Sequence, residues 1–331
     1  MKNVLRTLTG LALLCAFSAA TAWGQAVPKM RTRKLTSMTN QEVEDYLKRN
    51  NIIIIPVGPV EMHGLMPLEA EYVMPLGWSL KMAEKADALV FPHFVFDYPG
   101  GTTSGRGTFY MSVLESSALL ERICESLIRQ GFKRIFFVHG HGPAQYTTYP
   151  VRRELYEKYG VPAMDTTELM SEAQAKVGGG GGGGGFGKSF YALYQVAGQL
   201  EDIPLGVTLP RTQPPAAAPV AAPAGGRGGA QAAGGRGGRG GAPQPAGEAT
   251  ALHLGMGNIY TYPEEHSWSP DQPLTEQLRA QYAKEGMVEV DKIIEAMDFT
   301  LALRRMNEQI KIYNETLLPK YKELIKFNDY R

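Results

Sequence analysis

Apolar and polar positions alternate in blocks that divide the chain into short buried strands and amphipathic helices. Ile52-Ile53-Ile54-Ile55 is bounded by Pro56 and Gly58. A β-branched run of this kind, without polar interruption, predicts a parallel-sheet strand buried on both faces. Arg134 to Val138, Ala88 to Phe91 and Val161 to Met164 predict three more strands. Helical spacing fills the gaps, from about Glu42 to Lys48 after a Thr39 or Asn40 cap, and from about Pro75 to Lys85. A third helix, about Leu114 to Gln130, carries Leu119, Leu120, Ile123, Leu127 and Ile128 on one stripe. A fourth runs from about Tyr146 to Tyr159, and Gly131 and Gly160 stop these last two. The βαβαβαβ order implies an α/β fold of three layers, α/β/α, around a mainly parallel sheet. Near the end, Thr275 caps a helix to about Met297, and Leu301 to Phe327 reads as a further amphipathic cover helix.

Between these blocks the pattern fails. Gly178 to Gly185 is unbroken glycine, and Pro214 to Gly247 is an Ala/Pro/Gly/Arg tract. Neither holds enough apolar surface to offset the entropy of ordering, so 178–247 is expected to be largely disordered, with Phe190 to Leu209 forming a helix or strand within it. The expected domain is thus split into residues 25–177 and 248–331. Gly182 to Ser189 matches the spacing of a phosphate-binding loop, but polar Ser171 to Lys176 precedes it where that loop needs a buried strand. The Arg-Gly-Gly units lack the interleaved aromatic residues that stack on bases.

Composition changes the picture in two places. The net charge of +1 gives no electrostatic case for nucleic acid or an anionic membrane as partner. Residues 1–24 read as a secretory signal peptide, with a basic start, an apolar run from Leu8 to Ala20, and small residues before Gln25. The expected location is therefore periplasmic or secreted, with no membrane attachment after cleavage. Removal of that segment takes Cys15 and leaves Cys124, on the apolar helical stripe, as a buried and inert thiol.

The candidate chemistry sits where the two best strands end. The first runs into Glu61-Met62-His63-Gly64, and the second into His139-Gly140-His141-Gly142. Open α/β sheets bind ligands just beyond the carboxyl ends of their strands. Glu61 and His63 are two positions apart on an extended segment, so both side chains point the same way and can serve one ion. Between the strands, Tyr98 to Gly107 is a long loop of the kind that lines a site, with Tyr98 and Arg106 as candidate pocket residues. His93, after Pro92, reads as an ordinary core histidine.

These motifs resemble the creatininase family of metal-dependent amidohydrolases. Pro56 to Gly64 is similar to the family's Pro-Val-Gly-x-x-Glu-x-His-Gly, and Met66 to Glu71 stands near its Leu-Pro-Leu and Thr-Asp segment, one residue shorter. Tyr98-Pro99-Gly100-Gly101-Thr102 resembles its Phe-Pro-Gly-Thr loop, and Gly131 to Ala144 resembles its Gly-Phe-x-x-Ile strand and His-Gly loop. The resemblance implies a creatininase-like fold and a divalent metal (Zn, Mn or Fe, one or two ions) held by Glu61, His63, Glu71 and His141. His253, at the histidine of the family's second signature, is the candidate acid/base, and His139, which replaces the family's loop asparagine, the candidate oxyanion partner; Tyr98, Thr102, Arg106 and Asn258 are the candidate substrate contacts. The expected substrate is a small molecule with an amide or cyclic-amide C–N bond, cleaved by water on the metal, in a homo-oligomer. Two departures support an alternative, a catalytically impaired metal- or ligand-binding relative. Pro143 stands where some members supply a second-metal glutamate, and Asn258 stands at the glutamate position of a His-Ala-Gly-x-x-Glu signature.

Overall fold

The computed structural model describes residues 29–103, 105–178, 187–206 and 272–327, with the side chains of 324–327 excepted. The expected signal peptide, most of the 178–247 tract, His253 and Asn258 lie outside the described residues. All elements below belong to the compact unit that begins at Thr32.

Helix α1 (Asn40–Leu47) starts at a capping box, in which Thr39 accepts from the Glu42 amide and Glu42 returns the bond. It hands over to strand β1 (Ile52–Pro56), which is buried along its whole length. Burying such isoleucines stabilises the fold by roughly 1.5–3 kcal/mol each. Helix α2 (Ala70–Ala86), strand β2 (Leu89–Val90) and helix α3 (Val113–Gln130) follow. Next come β3 (Arg134–Val138), α4 (Ala144–Tyr159) and β4 (Ala163–Asp165). The four strands form one sheet in the order β2-β1-β3-β4, and every pair is parallel. β1 and β3 are the central pair, in register from Ile52 with Arg134 to Pro56 with Val138, so their carboxyl ends finish side by side.

Ile52, Ile54, Phe136 and Val138 share one core with α2, α5 (Thr167–Lys176), α6 (Lys188–Ala197) and α7 (Glu276–Ala296). Side-chain alternation places Ile53, Ile55, Ile135 and Phe137 on the opposite face. They too are fully buried, as are Leu120, Cys124, Leu127, Val151 and Leu155 of α3 and α4. The α/β/α layering read from the pattern is therefore the observed one. α8 (Phe299–Ile312) docks through Phe299, edge-on to Phe136 at 5.9 Å between ring centres. Cys124 is buried and free, and burial pushes its pKa up, as expected of an inert thiol.

The differences have local causes. α2 begins at Ala70, five residues before the expected start at Pro75. A proline at this early helical position removes only the hydrogen bond to the Glu71 carbonyl, so the first turn survives. α5 was not expected; its buried residues are Leu169 and Ala173, one turn apart, with Met170 partly buried beside them. The segment left open between helix and strand is the helix α6, with Phe190, Tyr191, Leu193 and Tyr194 buried. The last helical stretch is interrupted by a π turn at Tyr313–Leu317 before α9 (Leu318–Phe327).

Candidate metal centre

β1 delivers Glu61 and His63 on the loop beyond its carboxyl end, and β3 delivers His139 and His141 beyond its own. Glu71 arrives differently, from the first turn of α2. Its approach depends on Gly58, because a Cβ there would lie 1.9 Å from the Glu71 carbonyl oxygen. A second close approach, Gly105 against the Met62 side chain at 2.1 Å from an added Cβ, presses the 97–107 loop onto the Glu61–His63 turn. Gly140 and Gly142 are less constrained, since a Cβ on Gly140 would make ordinary contact with Glu71 Oε2 at 3.8 Å and one on Gly142 would meet nothing.

Glu61, His63 and Glu71 are buried and each offers a ligand atom within 4.8 Å of the others. His63 Nε2 lies 3.0 Å from Glu61 Oε1 and 2.9 Å from Glu71 Oε1. A ring nitrogen carries at most one hydrogen, so it cannot satisfy both carboxylates. Glu71 is fully buried and has this contact with His63 as its one polar contact among the described residues, its Oε2 being left without a partner. Two buried carboxylates converging on one imidazole nitrogen, which cannot give both a hydrogen, is a donor set suited to a divalent cation. His141 joins through Glu61, its Nδ1 lying 2.9 Å from Glu61 Oε1, so that one oxygen is shared by both histidines.

The surrounding groups fix these ligands. His141 Nε2 donates to the Tyr98 carbonyl at 3.0 Å, which leaves Nδ1 as the nitrogen facing the centre. Thr102 is buried and its hydroxyl donates to Glu61 Oε2, turning Oε1 inward. Thr102 thus holds a candidate ligand, whereas Arg106 is exposed on the same loop and the Tyr98 ring is half-buried. His139 is brought to Asp165 at the end of β4, whose other oxygen accepts from the Thr167 amide at 2.9 Å. His93 stacks on Tyr72 at 4.3 Å, as a structural histidine would. Sequence reading passed over Asp165 and Asp97; for Asp165 the signal was available, since it closes a strand at the same sheet edge.

Without a metal, the carboxylates favour protonated His63 and His141. Burial disfavours the charged His63 ring, but Glu61 and Glu71 outweigh it and raise its pKa to about 9. Burial likewise opposes ionisation of Glu61 and Glu71, yet the histidines hold both carboxyls below their ordinary range. The stability owed to charged His63 is fully present below its unfolded value near ~6.5 and is lost as pH rises through about 9. That owed to the carboxylates is present above ~4.5 and lost as pH falls through their lower folded values. Chelator-treated protein is therefore expected to melt highest near about pH 5–6.5 and to lose on the order of 2–3 kcal/mol by about pH 9.5. Melting curves in EDTA across that range check this, and a flat profile would contradict it.

Residues 36–186 match the sequence profile of the creatininase family, described as creatinine amidohydrolase. This segment is similar to creatininase-family domains. The creatinine amidohydrolase of Pseudomonas putida is 28% identical over 96 residues, which are 27% of this chain and 37% of that protein. This chain thus spans little more than a third of that curated relative. A crystal structure of creatinine amidohydrolase (creatininase) superposes with a TM-score of 0.50 at 15% identity, covering 86% of this chain and 98% of the other. That likeness establishes the shared α/β fold. Within the matched segment fall all the candidate residues described above except His253 and Asn258, which lie outside both it and the described residues.

Proposed function

We propose that this chain is an exported, metal-dependent hydrolase that cleaves an amide or cyclic-amide C–N bond of a small molecule. The observation that carries the reading is the convergence of the buried Glu61 and Glu71 carboxylates on His63 Nε2, with Glu71 Oε2 left unpartnered in the interior. Glu61, His63 and Glu71, joined by His141, would hold Zn²⁺, Mn²⁺ or Fe²⁺, since imidazole nitrogen with carboxylate oxygen suits these ions. Such an ion, when bound, supplies Lewis-acid polarisation of the carbonyl and a lowered pKa for water. The protein's own part is to keep that chemistry in place. Thr102 and the Tyr98 carbonyl fix the orientations of Glu61 and His141. His139, held through Nε2 by Asp165, is the candidate for moving a proton to the departing nitrogen. The basic and apolar pattern at the amino terminus supports export. Exposed Phe96, Phe109, Tyr110 and Leu114 beside the site support assembly of copies.

A second reading, a binding protein without turnover, is favoured by one observation. Pro143, at the start of α4, offers no donor beside His141. Metal analysis together with a hydrolysis screen on small amides, lactams and creatinine separates the two. The hydrolase reading expects bound metal, turnover, and loss of both in chelator with recovery on adding the ion. Stoichiometric metal without turnover on any of these substrates would favour the binding protein. Light scattering of the purified protein tests assembly, and cell fractionation tests export.

A further inference from the structure

Asp165 does two things at once, and only one of them belongs to the fold. Its Oδ1 accepts from the Thr167 amide at 2.9 Å and from the Thr167 hydroxyl at 2.6 Å. This serves the start of α5, where Thr166 makes no side-chain cap of its own. Capping needs one oxygen and no charge, and asparagine does it as well as aspartate. Oδ2 instead meets His139 Nε2, although the Asp165 side chain is only 13% exposed and burial opposes its ionisation. A buried charge is costly unless a partner offsets it, and the partner of this second oxygen is the histidine.

His139 sits at the edge of the candidate metal centre. A Cβ on Gly140, the next residue, would lie 3.8 Å from Glu71 Oε2, and His141 Nδ1 lies 2.9 Å from Glu61 Oε1. Rigid elements carry both members of the pair. Asp165 is in register with Phe137 on the neighbouring strand, and the Thr166 amide donates to the Phe137 carbonyl at 3.0 Å. Leu169 and Ala173 hold α5 in the core. A carboxylate on one ring nitrogen decides which nitrogen bears the hydrogen of a neutral imidazole. Here that atom is Nε2, and Nδ1 has no hydrogen-bond partner among the described residues.

We propose that Asp165 is the positioning residue of His139, holding Nε2–H towards itself and leaving Nδ1 free to relay a proton during hydrolysis. This role rests on the metal-dependent hydrolase reading above. The hydroxyl of the attacking water joins the carbonyl carbon, and its proton passes through Nδ1 to the departing nitrogen. The C–N electron pair leaves with that nitrogen.

Asp165→Asn tests the role. Its amide oxygen can still accept from Thr167, while its NH₂ group faces Nε2 and drives the hydrogen of the neutral ring onto Nδ1. Both proteins, loaded with Zn²⁺, are compared by ¹⁵N NMR of the His139 ring, by kcat and KM on an amide from the hydrolysis screen, by Zn²⁺ titration and by melting. The neutral ring is expected to carry its hydrogen on Nε2 in wild type and on Nδ1 in Asp165→Asn. kcat should fall about 10²–10⁴-fold, with KM, Zn²⁺ affinity and melting temperature near wild type. In a His139→Ala background the same substitution should lower kcat no further. An unchanged tautomer, an unchanged kcat, or a further loss in the His139→Ala background would overturn the role and leave the hydrolase reading standing. A loss of activity that tracks a lowered melting temperature would reduce Asp165 to a cap of α5 and overturn it too. Should the variant not fold, the wild-type spectrum decides alone, since a neutral ring with its hydrogen on Nδ1 contradicts the role. No turnover by the Zn²⁺-loaded wild type on any amide screened would overturn both readings.

Discussion

Glu61→Gln is expected to abolish stoichiometric metal retention and, with it, hydrolysis. Glu61 Oε1 lies within 3.0 Å of a nitrogen from each of two histidines, so its loss removes the atom that joins the β1 and β3 contributions. Outer-shell partners of metal ligands are worth about 10–100-fold in affinity, and removing the shared ligand should exceed the upper end of that range. The metal-free protein should suffer too. Breaking a buried pair while its partner stays charged costs about 3–5 kcal/mol, although Glu71 remains beside His63 and moderates the loss. Calorimetric metal titration and melting of the variant read the two effects separately. Wild-type affinity in Glu61→Gln would mean that the ion sits elsewhere.

The second large effect is expected from a residue that touches no metal. Gly58→Ala places a Cβ 1.9 Å from the Glu71 carbonyl, against backbone that cannot rotate away. Overpacking of this kind typically costs about 1–3 kcal/mol, and relief requires the start of α2 to move. Pro75 makes that movement easier, because it leaves the Glu71 carbonyl without its helical hydrogen bond. Since Glu71 lies on this first turn, the shift carries a ligand away from His63. Gly58→Ala should therefore lose metal affinity by more than its lowered melting temperature explains. Gly142→Ala, where an added Cβ meets nothing, is the control and should leave both quantities near wild type.

These two residues also mark how far the sequence could be read. The central strands were legible because four isoleucines and the Ile135 to Val138 run admit no other arrangement than burial on both faces. The strand ends then located Glu61, His63 and His141, since ligand-bearing loops follow the carboxyl edge of a parallel sheet. Glu71 was reachable only by resemblance, because α2 starts five residues earlier than its proline suggested. Asp97 was hidden. A carboxylate on a loop reads as solvated, and only tertiary structure shows it buried. Thr102 was placed on the right loop, yet its engagement with Glu61 depends on packing of that loop that no local pattern encodes. α5 escaped notice because two buried positions are too few to raise a periodic signal above a polar background.

The central claim is that Glu61, His63 and Glu71 together hold a divalent cation. Anomalous diffraction from crystals grown with Mn²⁺ or Zn²⁺ tests it most directly. The account predicts a peak enclosed by the Glu61 and Glu71 carboxylates and the His63 ring, with occupancy that falls away in Glu61→Gln. A fully occupied peak elsewhere in the molecule, or none at saturating metal, would contradict it.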